Sequence, residues 1–171
     1  MQVRERAIAL PTAGLMCGVM LLVSMPKAKA ADDMLTTIAK NPSLTTLNVA
    51  LKTSGATRLL ATSDGPFTLF APTDAAFKKL STAKLVSLLN PDNAGTNQAI
   101  FYYHLIPFRA LKASDLKHLK DGSKILTSTN GKSVTISNKK QLLVDNAKFE
   151  KTDIITSQGV IHLIDTVLMP K

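Results

Sequence analysis

The sequence predicts an α+β domain, and three observations lead to this fold class. Apolar residues recur at helical spacing through the first half of the chain, between breaks at Asn41-Pro42, Gly65-Pro66 and Asn90-Pro91. The second half changes to short runs of β-branched residues around the hairpin dipeptide Asn130-Gly131. The chain closes with an apolar run from Val160 to Leu168 that is typical of a buried strand. Helices first and antiparallel strands later favour α+β over an alternating parallel sheet.

The first thirty residues predict a secretory signal. A basic start is followed by a mainly apolar stretch from Ala13 to Met25. Ala28-Lys29-Ala30 has the small-x-small pattern of a cleavage site, so residues 1–30 are expected to be removed before Ala31. The apolar stretch is shorter than the ~20 residues that span a bilayer, so we expect no stable membrane span. An uncleaved anchor is the alternative, and the favoured location is secreted, either periplasmic or extracellular.

Residues 31–171 are predicted to form a single domain, because about 140 residues suffice for one apolar core but not for two. The only cysteine, Cys17, lies in the predicted signal, so apolar packing must stabilise the rest. The chain has a net charge of +9 and no tryptophan, and its aromatic residues sit in apolar runs. Nucleic acid is therefore not an expected partner. The basic surface suits an acidic glycan, or is simply a solvated face.

The first part of the domain is predicted to hold short helices and one strand. Apolar residues from Met34 to Ile38 form the stripe of a first helix. Ser43 is expected to cap a second helix, which Gly55 ends. Leu59-Leu60 belong to a further turn. Phe67–Ala71 combines aromatic and β-favouring residues and is predicted to be a strand.

Three further helices are predicted next. Thr73 or Asp74 is expected to cap the first, because hydroxyl and carboxylate oxygens accept hydrogen bonds from N–H groups at a helix start. Ser81 or Thr82 is expected to cap the second in the same way. The third, from about Thr96 to Ile106, is the most apolar, and the proline after it disfavours its continuation.

The second half is predicted to consist of strands, of which the first two flank the Asn-Gly turn as a hairpin. The predicted strands are Lys124–Ser128, Ser133–Ser137, Leu142–Val144, Ile154–Ile155 and Val160–Leu168.

The chain lacks the usual catalytic sequence patterns. It has no Gly-x-Ser-x-Gly turn, no glycine-rich phosphate loop and no His-Glu-x-x-His pair. His104, His118 and His162 lie far apart in sequence, so no metal site and no cofactor is expected. His104 and His162 lie in apolar runs, where a hydrogen-bonded core histidine is the common case.

Three segments together resemble the fasciclin-like domain family. Phe67–Phe77 is similar to the first signature block of that family, Tyr103–Pro107 to its central Tyr-His block and Gly159–Pro170 to its second signature block. Their order and spacing also agree, and the resemblance covers about residues 34–170.

The resemblance implies a β-sandwich or wedge packed by a cluster of short helices. It also implies a secreted, non-enzymatic adhesion or binding module that acts on a cell-surface or matrix protein. Residues 31–171 follow a cleavable signal and contain no cysteine, so we expect a monomer. In vertebrate members of this family, an Asp-Ile pair before the last block and the Tyr-His block are linked to receptor binding. By position these partner-binding candidates are Asp153, Ile154, Tyr103 and His104.

Structural roles compete with the binding roles. Tyr103 and His104 need hydrogen-bond partners if they are buried, and this favours a structural role for them. Asp74, His162 and Asp165 are interpreted as a helix cap, a core histidine and a turn anchor. Two other functions stay open. A long apolar cavity would favour a carrier of a small apolar ligand, and Ser, His and Asp side chains clustered in a cleft would favour an unrecognised secreted hydrolase.

Overall fold

A computed structural model describes residues 31–62, 65–127 and 131–170, and in these ranges the chain forms seven α-helices and seven strands. The predicted signal of residues 1–30, Ser128 of a predicted strand and Asn130 of the predicted turn lie outside the described residues. The helices are α1 (Met34–Lys40), α2 (Thr45–Thr53), α3 (Thr57–Thr62), α4 (Asp74–Lys78), α5 (Thr82–Leu89), α6 (Ala94–Tyr103) and α7 (Ala113–His118). The strands are β1 (Phe67–Pro72), β2 (Leu105–Ile106), β3 (Ser123–Leu126), β4 (Ser133–Ser137), β5 (Leu143–Val144), β6 (Ala147–Thr156) and β7 (Gly159–Ile164).

The described strands join one mixed sheet in the order β2-β1-β7-β6-β5-β4-β3, which confirms the α+β class. β1 and β7 pair in parallel, from Phe67 opposite Gly159 to Pro72 opposite Ile164. The other neighbours pair antiparallel, including the predicted β3–β4 hairpin. The parallel pair was not expected. It is possible because about half of the chain lies between β1 and β7, which leaves room for a crossover instead of a tight turn.

β1 and β7 form the centre of the fold because they are buried on both faces. Alternate residues of a strand point to opposite sides, and each side of these two strands meets its own apolar cluster. Leu69 and Ile161 pack with Phe77 of α4 in a first cluster between the helices and the sheet. Phe70 and Ile164 belong to a second cluster, which β4, β5 and α7 complete.

The helix predicted to run to Ile106 is wrong at its C-terminal end. α6 ends at Tyr103, and Leu105–Ile106 form β2. These two residues pair with Leu69 and Thr68 of β1. Pairing with a fully buried strand therefore outweighs the helical pattern, and the chain turns at the residue between α6 and β2.

β6 is much longer than the predicted strand Ile154–Ile155, and α7 falls where no element was predicted. Lys148 and Glu150 of β6 are exposed and Phe149 between them is half-buried, so one face of the strand meets solvent. Charged residues on that face hid the strand in the sequence. α7 has six residues, too few for a helical period to stand out.

Asp74 holds the start of α2 and not that of its own helix. The predicted cap Ser43 is wrong, because α2 begins two residues later without a side-chain cap of its own. The Asp74 carboxylate instead accepts hydrogen bonds from the Thr46 main-chain N–H at 2.8 Å and the Thr45 hydroxyl at 2.6 Å. Thr73 caps α4. Asp74 thereby ties α4 to α2 across the helical layer.

Asp74→Ala is expected to lower the free energy of unfolding by about 1–2 kcal/mol, because two donors at the start of α2 lose their acceptor. Partial burial raises the pKa of Asp74, but the bonds from Thr45 and Thr46 outweigh it and keep that pKa below its ordinary 3.8. The stabilisation is therefore present above this value and is lost as the pH falls through the folded-state pKa. Urea unfolding measures the change. Asp92→Ala, which removes an exposed carboxylate, is the control. If Asp74→Ala lowered the free energy of unfolding no more than Asp92→Ala does, the role of Asp74 would be contradicted.

Candidate functional site

Tyr103, at the end of α6, is buried at 3 % exposure and joins α6 to the β3–β5 part of the sheet. Its hydroxyl lies 3.0 Å from the Ser133 carbonyl oxygen and 3.1 Å from Asp145 Oδ2. Burial of the hydroxyl and the neighbouring Asp145 carboxylate raise the pKa of Tyr103 to about 12. Asp145 is itself fixed at a positive φ of 52° and accepts the Thr135 N–H at 3.0 Å. The ring is therefore a structural connection between elements.

His104, the next residue, is 1 % exposed and is hydrogen-bonded through both ring nitrogens. Nδ1 donates to the Ile100 carbonyl oxygen at 2.8 Å, and Nε2 accepts the Leu168 N–H at 2.9 Å. These partners fix the neutral imidazole with its proton on Nδ1. Burial lowers the pKa of His104 to about 4, so the ring stays neutral at physiological pH. His104 joins the end of α6 to the chain after β7 and presents no nitrogen to a partner.

Asp153 lies inside β6 at a register shift, with a positive φ of 59°. Its Oδ1 accepts the Ala113 N–H, the first of α7, at 2.8 Å. Its own N–H donates to His162 Nδ1 at 3.3 Å, and His162 Nε2 donates to the Leu111 carbonyl oxygen at 2.8 Å. Aspartate tolerates a left-handed backbone better than most residues. The pair Asp153–His162 therefore anchors the segment that leads into α7.

His162 is fully buried between aromatic rings on β1 and β6. It stacks on Phe70 with ring centroids 6.0 Å apart and meets the Phe149 ring edge-on at 5.6 Å. Burial lowers the pKa of His162, against the opposing effects of the Leu111 carbonyl and the Asp153 charge. The ring is thus a neutral core member.

Ile154 and Ile155 differ in exposure because of the irregular backbone at Asp153. Ile154 is half-buried and packs against the first apolar cluster. Ile155 is 54 % exposed. It lies on the wall of an open groove of about 380 Å³ beside Pro66, Lys112 and Gly159. The aliphatic surface of this segment is therefore offered by Ile155.

Asp165 fixes the end of β7. Its Oδ2 lies 2.9 Å from the Lys79 ammonium, and its Oδ1 accepts the Lys148 N–H at 2.7 Å. Partial burial raises the pKa of Asp165, but the bonds from Lys79, Lys148 and Thr166 bring it below the ordinary value. Asp165 thus ties α4, β6 and β7 together.

The geometry gives little support to the carrier and hydrolase alternatives. The apolar pocket between α2, α3, α6 and the sheet, lined in part by Leu51 and Phe101, has a volume of about 10 Å³, room for about one water molecule. Neither buried histidine has a ring nitrogen left to activate a serine hydroxyl. Within residues 31–62, 65–127 and 131–170, no three His, Cys or acidic side chains are grouped as metal ligands would be. Over the same ranges, no helix has the length and apolarity of a membrane span.

The sequence profile of the fasciclin domain matches residues 42–170. The chain belongs to the fasciclin domain family. The resemblance of the three sequence blocks is thereby confirmed.

Several curated proteins are similar to this fasciclin domain. Protein sll1483 of Synechocystis sp. is 32% identical over 150 residues, covering 87% of this chain and 79% of that protein. Human periostin is 35% identical over 113 residues, which are 63% of this chain and 12% of periostin. The cell surface glycolipoprotein MPB83 of Mycobacterium bovis is 34% identical over 145 residues, or 82% of this chain and 62% of that protein. The chain thus spans a minor part of periostin and about three fifths of MPB83.

A solved structure has the same fold. The FAS1 domain pair of the insect cell adhesion molecule fasciclin I superposes with a TM-score of 0.72 at 18% identity, covering 82% of this chain and 51% of that one. The seven-stranded sheet packed by short helices is therefore the FAS1 fold, which the family resemblance implied.

Two features of the site were missed by sequence reasoning. Ile155 was grouped with Ile154, because alternation along a strand does not anticipate a bulge that changes which residue faces outward. Asp145 was not singled out, although its turn presents an aspartate, one of the residues that favour positive φ. That preference was the available signal for Asp145.

Proposed function

We propose that this fasciclin domain is a secreted, non-enzymatic adhesion module, periplasmic or extracellular, that acts as a monomer on cell-surface or matrix components. Family membership supports the class of function, since similar proteins include a cell surface glycolipoprotein and a cell adhesion molecule. Both ring nitrogens of each buried histidine are hydrogen-bonded to the main chain, which supports a role without catalysis. Recognition then depends on the surface of the fold.

The observation that carries the proposal is the exposure of Ile155 beside a groove at the β6–β7 turn. Ile155 sits two residues after Asp153, whose positive φ and bond to Ala113 hold the segment in a fixed shape. An exposed aliphatic side chain on the wall of an open groove is suited to contact with a partner. Lys112 adds a cation at the groove wall. The Asp153–Ile155 segment is therefore the proposed contact, with Asp153 in a supporting role.

Tyr103 and His104 are proposed to act on adhesion through the stability of the fold. Both side chains are at most 3 % exposed, so a partner cannot reach them without unfolding of their surroundings. An acidic glycan is the alternative partner to a protein. Of the basic pair Lys139 and Lys140, Lys139 already lies 3.4 Å from the Asp121 carboxylate. The apolar contact at Ile155 therefore favours a protein partner.

Ile155→Lys is expected to weaken adhesion to native envelope or matrix preparations at least about tenfold, because it replaces the exposed aliphatic contact with a charge. The melting temperature should stay within a few degrees, since exposed substitutions usually change stability by about 0.5 kcal/mol or less. Val86→Lys, on α5, is the matched control, because Val86 is 61 % exposed. Equal binding by the two variants, or binding abolished by added salt alone, would refute the apolar contact.

A further inference from the structure

The two edge strands of the sheet line one groove. β2 and β3 are the outermost strands of the described sheet, at opposite ends of the strand order. A groove of about 660 Å³ is lined by Ile106 of β2, by residues 107–109, Leu111 and Leu119 after it, and by β3 with the adjoining Thr127. The sheet therefore curls around its second apolar cluster until its edges face each other. This volume lies in the range of ligand-binding clefts.

β3 directs unpaired main-chain groups into this groove. The Thr127 N–H donates to the Lys132 carbonyl oxygen on the β4 side at 2.9 Å, and the register continues without a bulge from Leu126 to Ser123. Alternate residues of an antiparallel strand direct their N–H and C=O groups to opposite sides. The main-chain N–H and C=O groups of Lys124 and Leu126 therefore point away from β4. No strand of the described chain pairs with that side of β3.

Two apolar side chains are exposed along the groove. Phe108 is 81 % exposed and has a positive φ of 60°, which is uncommon for an aromatic residue. Leu126 is 66 % exposed. A strained loop that displays a phenylalanine next to an open strand edge indicates a contact surface.

Two cations accompany these apolar side chains. Arg109 and Lys124 are exposed on the groove wall. Neither forms an ion pair with another described residue. An occupant that carries carboxylates would therefore meet free positive charge on both sides of the groove.

We propose that this groove binds an extended peptide segment of a partner protein as an added strand beside β3. The peptide's main chain bonds to Lys124 and Leu126, an apolar side chain packs on Phe108 and Leu126, and flanking carboxylates meet Arg109 and Lys124. A peptide is favoured over a membrane surface because lipid offers no ladder of main-chain donors and acceptors. This proposal is independent of the adhesion role proposed for Ile155. Peptide binding is measured on the purified chain, whereas adhesion is measured on envelope or matrix preparations.

The test uses a displayed library of random twelve-residue peptides, selected against the purified chain. We expect enrichment of peptides that alternate apolar and acidic residues, with slowed amide exchange at Lys124 and Leu126 in the complex. Leu126→Pro removes one outward N–H without breaking a bond to β4, so it should weaken binding at least about tenfold. Leu126→Val keeps both the N–H and the apolar side chain and should bind within about threefold of wild type.

A second measurement removes dependence on the folding of the proline variant. Two versions of the selected peptide are N-methylated, one at its odd-numbered and the other at its even-numbered residues. Binding should be abolished in the version whose methyl groups replace the N–H groups that face β3, and nearly unchanged in the other. The proposal is overturned if no peptide is enriched. It is also overturned if an enriched peptide binds Leu126→Pro as tightly as it binds wild type, or if both methylated peptides bind wild type as tightly as the unmethylated peptide does. Phe108-dependent binding to phosphatidylglycerol vesicles without peptide binding would assign the surface to a membrane. A dimer lost in Leu126→Pro would assign it to a second copy of the chain. Either result also overturns the proposal.

Discussion

Gly159→Ala is expected to lower the free energy of unfolding by about 4 kcal/mol or more, which approaches the whole stability of many domains. Gly159 begins β7 directly opposite Phe67 in the central parallel pair. A Cβ at this position would lie 1.9 Å from the Phe67 carbonyl oxygen and 2.7 Å from its nitrogen. Its φ of 143° is also a conformation that side-chain-bearing residues rarely adopt. Relief would require β1 and β7 to move apart.

Gly95→Ala is the control for Gly159→Ala. Gly95 lies in α6, and a Cβ there meets nothing within 4 Å. Alanine is the better helix former, so this variant should be about 0.5–1 kcal/mol more stable than wild type. Urea unfolding of the two variants measures both changes. A Gly159→Ala protein as stable as Gly95→Ala would show that the close approach of β1 and β7 is not as described.

His104→Ala is expected to lower the free energy of unfolding by about 3 kcal/mol. It leaves the buried Ile100 carbonyl and Leu168 N–H without their imidazole partners, and an unpaired buried group costs about 1–3 kcal/mol. It also leaves a cavity in a fully packed region. His118→Ala is the control, because His118 is exposed. A melting temperature for His104→Ala equal to that of His118→Ala would contradict the structural role.

The same histidine predicts a pH dependence. Its pKa is 6.5 in ordinary surroundings and about 4 in the fold. Between these values the unfolded chain binds the proton that the folded chain excludes, so stability is full above pH 6.5 and falls as the pH drops towards 4. The difference corresponds to about 3 kcal/mol. Thermal unfolding from pH 7 to pH 4 should show this loss in wild type and a smaller one in His104→Ala, where His162 still contributes in the same direction.

The sequence predicted the architecture where local patterns and long-range packing agree. Helical stripes in the first half, the β3–β4 hairpin and the apolar β7 could be anticipated because each buries one continuous face. The strand Leu105–Ile106 could not be anticipated, because its conformation depends on pairing with β1, about 36 residues away in sequence. The parallel pairing of β1 with β7 could not be predicted for the same reason. No local pattern encodes a partner at the other end of the domain.

The candidate site was predicted less well than the fold, for a different physical reason. The family resemblance located the Tyr-His and Asp-Ile positions, but exposure decides whether a residue meets a partner or its own core. His104 and Tyr103 are buried by contacts with Leu168 and Asp145, both remote in sequence. The bulge at Asp153 turns Ile155 outward instead of Ile154. The β3 edge became visible only when the strand order was known.

The contact at Ile155 is tested most directly by adhesion per folded molecule, measured on His104→Ala and Ile155→Lys in the same preparation of native envelope. Thermal unfolding of each variant under the assay conditions gives its folded fraction. We expect that His104→Ala, corrected for this fraction, binds like wild type, whereas Ile155→Lys binds at least about tenfold less. Wild-type binding by Ile155→Lys together with abolished binding by folded His104→Ala would contradict it and would place the contact at the Tyr-His block.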